Sequence, residues 1–244
     1  MSTLPRRTLL VAAFAGAFTG LALAETVTGS GRMLAESRAA AGFEAVLLEA
    51  SMKLVVRQGS QEAVQIRADD NLLPLIETVV ETRSGQPTLV VRWKRGISIR
   101  NSSEILVTVD AIRIRGLAAS GSGLIEANGL RTDRLRMSVA GSGDVLVKDL
   151  GADEVDASIA GSGDIKASGR ATRLKVSIAG SGDADLSALT ADEVKVSIAG
   201  SGDAKVTADT ALSVSIAGSG DVRYGGKVTA VKTSIVGSGD VRRR

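Results

Sequence analysis

Between Arg134 and Val236 apolar and polar residues alternate with a period of two, the pattern of a β-strand with one buried face. One face carries Leu135/Met137/Val139, Val155/Ala157/Ile159, Leu174/Val176/Ile178, Val194/Val196/Ile198, Leu212/Val214/Ile216 and Val231/Thr233/Ile235; of these 18 positions 17 are apolar, Thr233 being the exception. The other face presents Arg136/Ser138/Ala140, Lys175/Ser177/Ala179, Lys195/Ser197/Ala199 and their equivalents. Each run ends in Gly-Ser-Gly, which occurs seven times, beginning at Gly121, Gly141, Gly161, Gly180, Gly200, Gly218 and Gly237, at intervals of 18–20 residues. Six copies continue to Asp and the first to Leu124. A shorter segment follows each turn, such as Asp144-Val145-Leu146-Val147, so one repeat holds two strand segments and two turns.

Identical strands recurring at this interval predict an all-β fold, a parallel β-solenoid with coils of 18–20 residues. Equivalent side chains then stack about 4.8 Å apart in columns, and the Leu, Val and Ile columns form a continuous core that no single coil could build alone. Pro74 and Pro87 are the last two prolines, as a ladder that needs every backbone N–H requires. The competing reading is a chain of β-hairpins, since a short loop containing Gly is also a hairpin signal. Against it stand the unequal arms around each Gly-Ser-Gly and the edges a row of antiparallel strands would expose.

Upstream, strand chemistry recurs without the repeat at Phe43 to Glu49, Met52 to Arg57, Ala63 to Ala68, Thr88 to Trp93 and Ile105 to Val109, with one helical turn expected over Asn71 to Glu77. The chain therefore divides into a signal peptide at 1–24, a linker at 25–42, an irregular N-terminal β region at 43–116 that caps the solenoid, and the repeat solenoid itself at 117–244. The signal reading rests on Arg6 and Arg7 before an apolar run from Leu9 to Leu21 and on Ala22-Leu23-Ala24 as a small-x-small cleavage site before Glu25. Arg6-Arg7 followed by Thr8-Leu9-Leu10 also resembles a twin-arginine signal. The run is too short to span a bilayer, so no transmembrane segment is expected after cleavage, and the expected location is periplasmic or extracellular.

Composition narrows the chemistry. With no Cys and no His there is no disulfide, thiol nucleophile, imidazole base or Cys/His metal site. Without Arg6 and Arg7 the formal charge falls from +3 to +1, and basic residues alternate with acids, which argues against a nucleic-acid partner. Outside the signal only Phe43, Trp93 and Tyr224 are aromatic, too few for a row of sugar- or base-stacking platforms.

Two columns are candidate sites. The aspartates Asp144, Asp164, Asp183, Asp203, Asp221 and Asp240 would stack into a cation column, similar to calcium-binding β-roll repeats, although those have a period near nine. Lys166, Lys205, Arg223 and Arg242, two residues further on, are expected to partner most of these carboxylates, and Asp after Gly commonly satisfies turn N–H groups itself. The serines Ser138, Ser158, Ser177, Ser197, Ser215 and Ser234, beside a column of alanines, would make a flat docking face for an envelope protein, a polymer or a second copy of the chain. Catalysis needs one asymmetric constellation, whereas this chain repeats the same residues on nearly every coil, so neither catalytic residues nor a cofactor are expected.

Gly42-Phe43, Val55-Val56-Arg57-Gln58-Gly59, Ala68-Asp69-Asp70-Asn71-Leu72-Leu73-Pro74 before Ile76-Glu77-Thr78, and the repeated Ser-Ile-Ala-Gly-Ser-Gly-Asp together resemble an exported domain-of-unknown-function family, the head GIN domain of auto-transporter adhesins. The resemblance covers about residues 30–244 and implies a right-handed β-helix-like fold without an established enzymatic activity. Ala50-Ser51-Met52-Lys53 and Leu124 depart from the family's Gly-rich and Asp-bearing turns. The expected role is a non-catalytic scaffold or adhesion-type binding module at the cell envelope; the alternative is a carbohydrate-active or calcium-dependent solenoid acting on envelope polysaccharide.

Overall fold

A computed structural model describes residues 25–100 and 103–244; the expected signal peptide lies outside the described residues. The strands are β1 (Glu25–Thr28), β2 (Met33–Arg38), β3 (Ala45–Glu49), β4 (Lys53–Gln58), β5 (Ala63–Asp69), β6 (Ile76–Arg83), β7 (Gln86–Trp93), β8 (Ile97–Arg100) and β9 (Leu106–Ala111) in the first half. The repeat region supplies β10 (Gly116–Gly121), β11 (Leu124–Asn128), β12 (Arg131–Gly141), β13 (Asp144–Gly161), β14 (Ile165–Gly180), β15 (Ala184–Gly200), β16 (Ala204–Gly218), β17 (Val222–Gly225), β18 (Ala230–Gly237) and β19 (Val241–Arg243). From β10 onward each strand pairs in parallel with its equivalents one repeat away. The fold is therefore a parallel β-solenoid, and the hairpin alternative fails for the repeats. The two segments expected within a coil merge into strands as long as Asp144–Gly161, because the ladder carries on through one of the two bends.

What forces this stacking is the Gly-Ser-Gly corner. The first glycine of each copy has φ between +109° and +141°, a region that side-chain-bearing residues rarely occupy. From Gly141 onward, a Cβ at either glycine would fall within 3.0 Å of the carbonyl oxygen of the matching glycine one coil below. With the side chains gone, that first-glycine oxygen receives the serine N–H of the next coil at 2.8–2.9 Å, and in most coils the second glycine's N–H as well, at 3.0–3.3 Å. Of the 18 expected core positions, the 15 from Leu135 to Ile216 are at most 3% exposed. On the last coil Val231 is only half-buried and Thr233 and Ile235 are exposed, since no further coil covers them in the described structure.

The stack does not begin at residue 117. β3 and β4 lie directly beneath β10 and β11, and β7 and β9 lie beneath β3 and β4, all in parallel. Ala50-Ser51-Met52 acts as the corner of the lower coil: the Met52 carbonyl accepts the Leu124 N–H at 3.0 Å and the Ser51 and Ser122 hydroxyls meet at 2.6 Å. Below β7 and β9 the direction reverses. β6 runs antiparallel to β7, joined by a two-residue hairpin through Ser84 and Gly85, both at positive φ, and β5 runs antiparallel to β9. Residues 25–42, expected as a linker, instead hold β2, antiparallel to β5, and β1, paired with β8 in a small separate sheet. Their polar sequence hid them, because β2 is mostly exposed and β1 is short, with Val27 only partly buried against the core. The expected helical turn is a short 3-10 turn at Leu73–Leu75, after which Ile76 opens β6.

Replacing Gly182 by Ala puts a methyl against the Gly163 carbonyl and the Ile159 side chain, and is expected to cost about 3 kcal/mol or more in urea unfolding. Gly59→Ala, at a site with ordinary φ and no atom within 4 Å, should change stability by less than about 1 kcal/mol.

Candidate functional site

The six column aspartates follow the Gly-Ser-Gly corners, and the structure brings them into one row. Each of five carboxylates is spent on the fold. Asp144, Asp164, Asp183, Asp203 and Asp221 each accept, through Oδ1, the backbone N–H of the aspartate one coil further on, at 2.8–3.2 Å. Asp240, on the last coil, accepts the Val241 N–H at 2.7 Å. The first corner shows what the carboxylate replaces: with Leu124 below it, the Asp144 N–H turns to the Gly123 carbonyl at 2.9 Å. The N–H served is thus that of the neighbouring coil and, except at Asp240, not one in the aspartate's own turn. The expected basic partners are mostly elsewhere, with Arg242 paired to Asp240 but Lys205 paired to Asp185 at 3.5 Å. Among the described residues no cluster of three or more acidic side chains could hold a metal ion.

The six serines also fall in one unbroken register, Ser138 against Ser158, Ser177, Ser197, Ser215 and Ser234 in turn, with Ala140, Ala160, Ala179, Ala199, Ala217 and Val236 alongside. Their side chains are half-buried on the lower coils and exposed from Ser197 upward. Two residues earlier on the same outward face runs a third column, Arg136, Asp156, Lys175, Lys195, Ser213 and Lys232, whose members from Asp156 upward line an open groove of about 530 Å³. Lys175 and Lys195 are legible in the strand pattern, but their gathering into a groove with Lys232 needs the register between coils.

Ion pairs along this face run from coil to coil. Glu154 joins Arg134 at 2.6 Å and Arg173 on the other side, whose hydrogen bonds, with the Arg134 charge next, hold the carboxyl below the usual range. Arg115 does the same for Asp133, by hydrogen bond first and by charge second. Residues of the family-like segment act structurally: Asn71 accepts the Ser30 N–H at 3.0 Å and donates to the Thr28 carbonyl at 2.8 Å, while buried Asp69 accepts the Ser103 N–H at 3.2 Å.

Residues 42–228 match the family model described as "Putative auto-transporter adhesin, head GIN domain". The chain belongs to this family. Solved structures share its architecture. A "putative adhesin" from Bacteroides fragilis is 23% identical with a TM-score of 0.82, the match covering 89% of this chain and 100% of that one. One from Parabacteroides merdae is 24% identical, with a TM-score of 0.73 over 91% and 100%. A protein named as lipid binding, from Parabacteroides distasonis, is 23% identical with a TM-score of 0.73 over 90% and 100%. At these identities the likeness speaks for the fold. No curated protein matches the sequence. Among the described residues of this head GIN domain no helix is long and apolar enough to cross a membrane.

Asp203→Ala strips the acceptor from the Asp221 N–H and is expected to cost about 1–2 kcal/mol in thermal unfolding, whereas Asp203→Asn, which keeps an oxygen in place, should cost less than half of that. Because the Glu154 pKa is lowered in the folded state, its contribution to stability is complete above the unfolded value of about 4.3 and is lost as pH falls through the lowered one. Acid titrations of wild type and Glu154→Gln should therefore differ in slope only on the acid side.

Proposed function

We propose that the protein is a non-catalytic, exported scaffold or adhesion-type binding module, which presents one face of its solenoid to a partner at the cell envelope. The observation that carries this reading is the register of the serine column, six hydroxyl-bearing residues stacked at the interval of the coils beside a column of small residues. Short side chains lose little entropy on contact, and a surface repeated along one axis suits an extended partner. Membership of an adhesin-named family supports the same role. A reaction centre needs unlike groups converging on one point, and neither column supplies them. The calcium-dependent alternative gains no support from carboxylates already engaged by backbone N–H groups.

Replacing Ser177, Ser197 and Ser215 together with Gln is expected to lower retention of the purified chain on isolated cell-envelope material by about tenfold or more. The melting temperature should stay within about 3 °C, since surface substitutions cost little. Unchanged retention overturns the reading.

A further inference from the structure

The groove beside the serine column crosses five coils, from Glu154 to Lys232, and so runs along the solenoid axis for roughly 19 Å at the spacing of parallel strands. Its charges do not cancel. Glu154 is held between Arg134 and Arg173, and Asp156 lies 3.9 Å from Arg136, so these acids are answered within the protein. Lys175, Lys195 and Lys232 line the same groove, are exposed, and form no salt bridge among the described residues; Glu193 is the single acid of the lining left without one. A lysine ammonium is a compact point charge on a flexible stem, and a cleft concentrates the field of several. The column shortens to Ser213 between Lys195 and Lys232, while Ala211 and Ala230 keep the upper groove open.

We propose that this groove binds a linear acidic polysaccharide laid along the solenoid axis, its carboxylates paired with Lys175, Lys195 and Lys232. The inference deepens the binding-module reading and rests on it. The interval between coils is close to the length of one sugar unit, and because successive units of a linear uronate chain are rotated about its axis, carboxylates return to the groove side every second or third unit, within reach of lysines on flexible stems that are themselves interrupted by Ser213. Beside every lysine, two residues on, stands a serine of the docking column (Ser177, Ser197, Ser234), a donor and acceptor suited to sugar hydroxyls. No lining residue is aromatic, so the bases of a nucleic acid would have nothing to stack on, and the polysaccharide is held through its carboxylates and hydroxyls and not by ring stacking. A planar lipid surface does not enter a groove.

The test is the binding of the full chain to polygalacturonate and to the same polymer fully methyl-esterified, by calorimetry at low salt. Polygalacturonate should bind about tenfold or more tightly than the ester, and Lys175→Gln/Lys195→Gln/Lys232→Gln should lose about tenfold in affinity with an unchanged melting temperature. Lys148→Gln/Lys166→Gln/Lys227→Gln removes the same charge elsewhere and should retain binding. Equal loss in both triple variants overturns the proposal by reducing it to net charge, as does equal binding of the ester. Equal affinity for polyphosphate or for phosphatidylglycerol vesicles overturns the polysaccharide assignment. If polygalacturonate fails to bind while the serine-to-glutamine variant still loses envelope retention, the acidic polymer is wrong and the binding-module reading stands.

Discussion

Every backbone amide at the Gly-Ser-Gly-Asp corner has to find an oxygen one coil away, in a space with no room for a Cβ. The paired glycines make that space, and the first-glycine carbonyl fills it by accepting one or two N–H groups from above. The aspartate extends the same ladder by one step with a side-chain oxygen, at a point where the Gly123 carbonyl serves when Leu124 stands in its place. An unpaired buried amide costs about 1–3 kcal/mol, so a motif that pairs the serine and aspartate N–H groups on successive coils, and the second-glycine N–H on most of them, offsets the freedom that its glycines lose on folding. Core columns, outward columns and groove all inherit their alignment from this corner.

The lower end of the stack is solved by different means. A parallel sheet invites another strand onto its edge, and the chain answers by reversing direction: β6 folds back on β7 and β5 on β9, with β2 covering β5 in turn. Arg38 on β2 donates to the Leu73 and Ile76 carbonyls, tying this cover to the short turn between β5 and β6. The segment rich in Asp69, Asp70 and Asn71 looks chemical in sequence but serves this end, holding the chain before β2 and the chain before β9 in place.

The solenoid was legible because its signal is repeated: a period of two sets the buried face and a period near twenty sets the stacking. Strands outside that repetition were visible only where a face is buried, as in β4 and β5, and invisible in β2, whose residues are mostly exposed. Ala50-Ser51-Met52 looked like a departure from the pattern, yet it occupies a corner, since the lowest turns need not leave room for glycines beneath them. The aspartate row could be foreseen, its bonding could not. Which oxygen serves which N–H depends on rise between coils, and a sequence records only order within them. For the same reason Lys232 joins Lys195 only when Ser213 is seen to lie between them.

Coil length varies between 18 and 20 residues, yet the Gly-Ser-Gly corners stay in register throughout, from Gly121 to Gly237. The slippage is confined to the opposite side, between Val147 and Leu150, Lys166 and Ser168, Leu186 and Thr190, and Ala191 and Glu193. One corner is thus a fixed datum and the far bend a tolerance. A gene that gains or loses a residue at the bend changes only a local bulge, and one that duplicates a whole repeat adds a rung to each column without disturbing the rungs already there. Reach, for a protein built this way, is a quantity that mutation can adjust in whole coils while the surface chemistry per unit length stays constant.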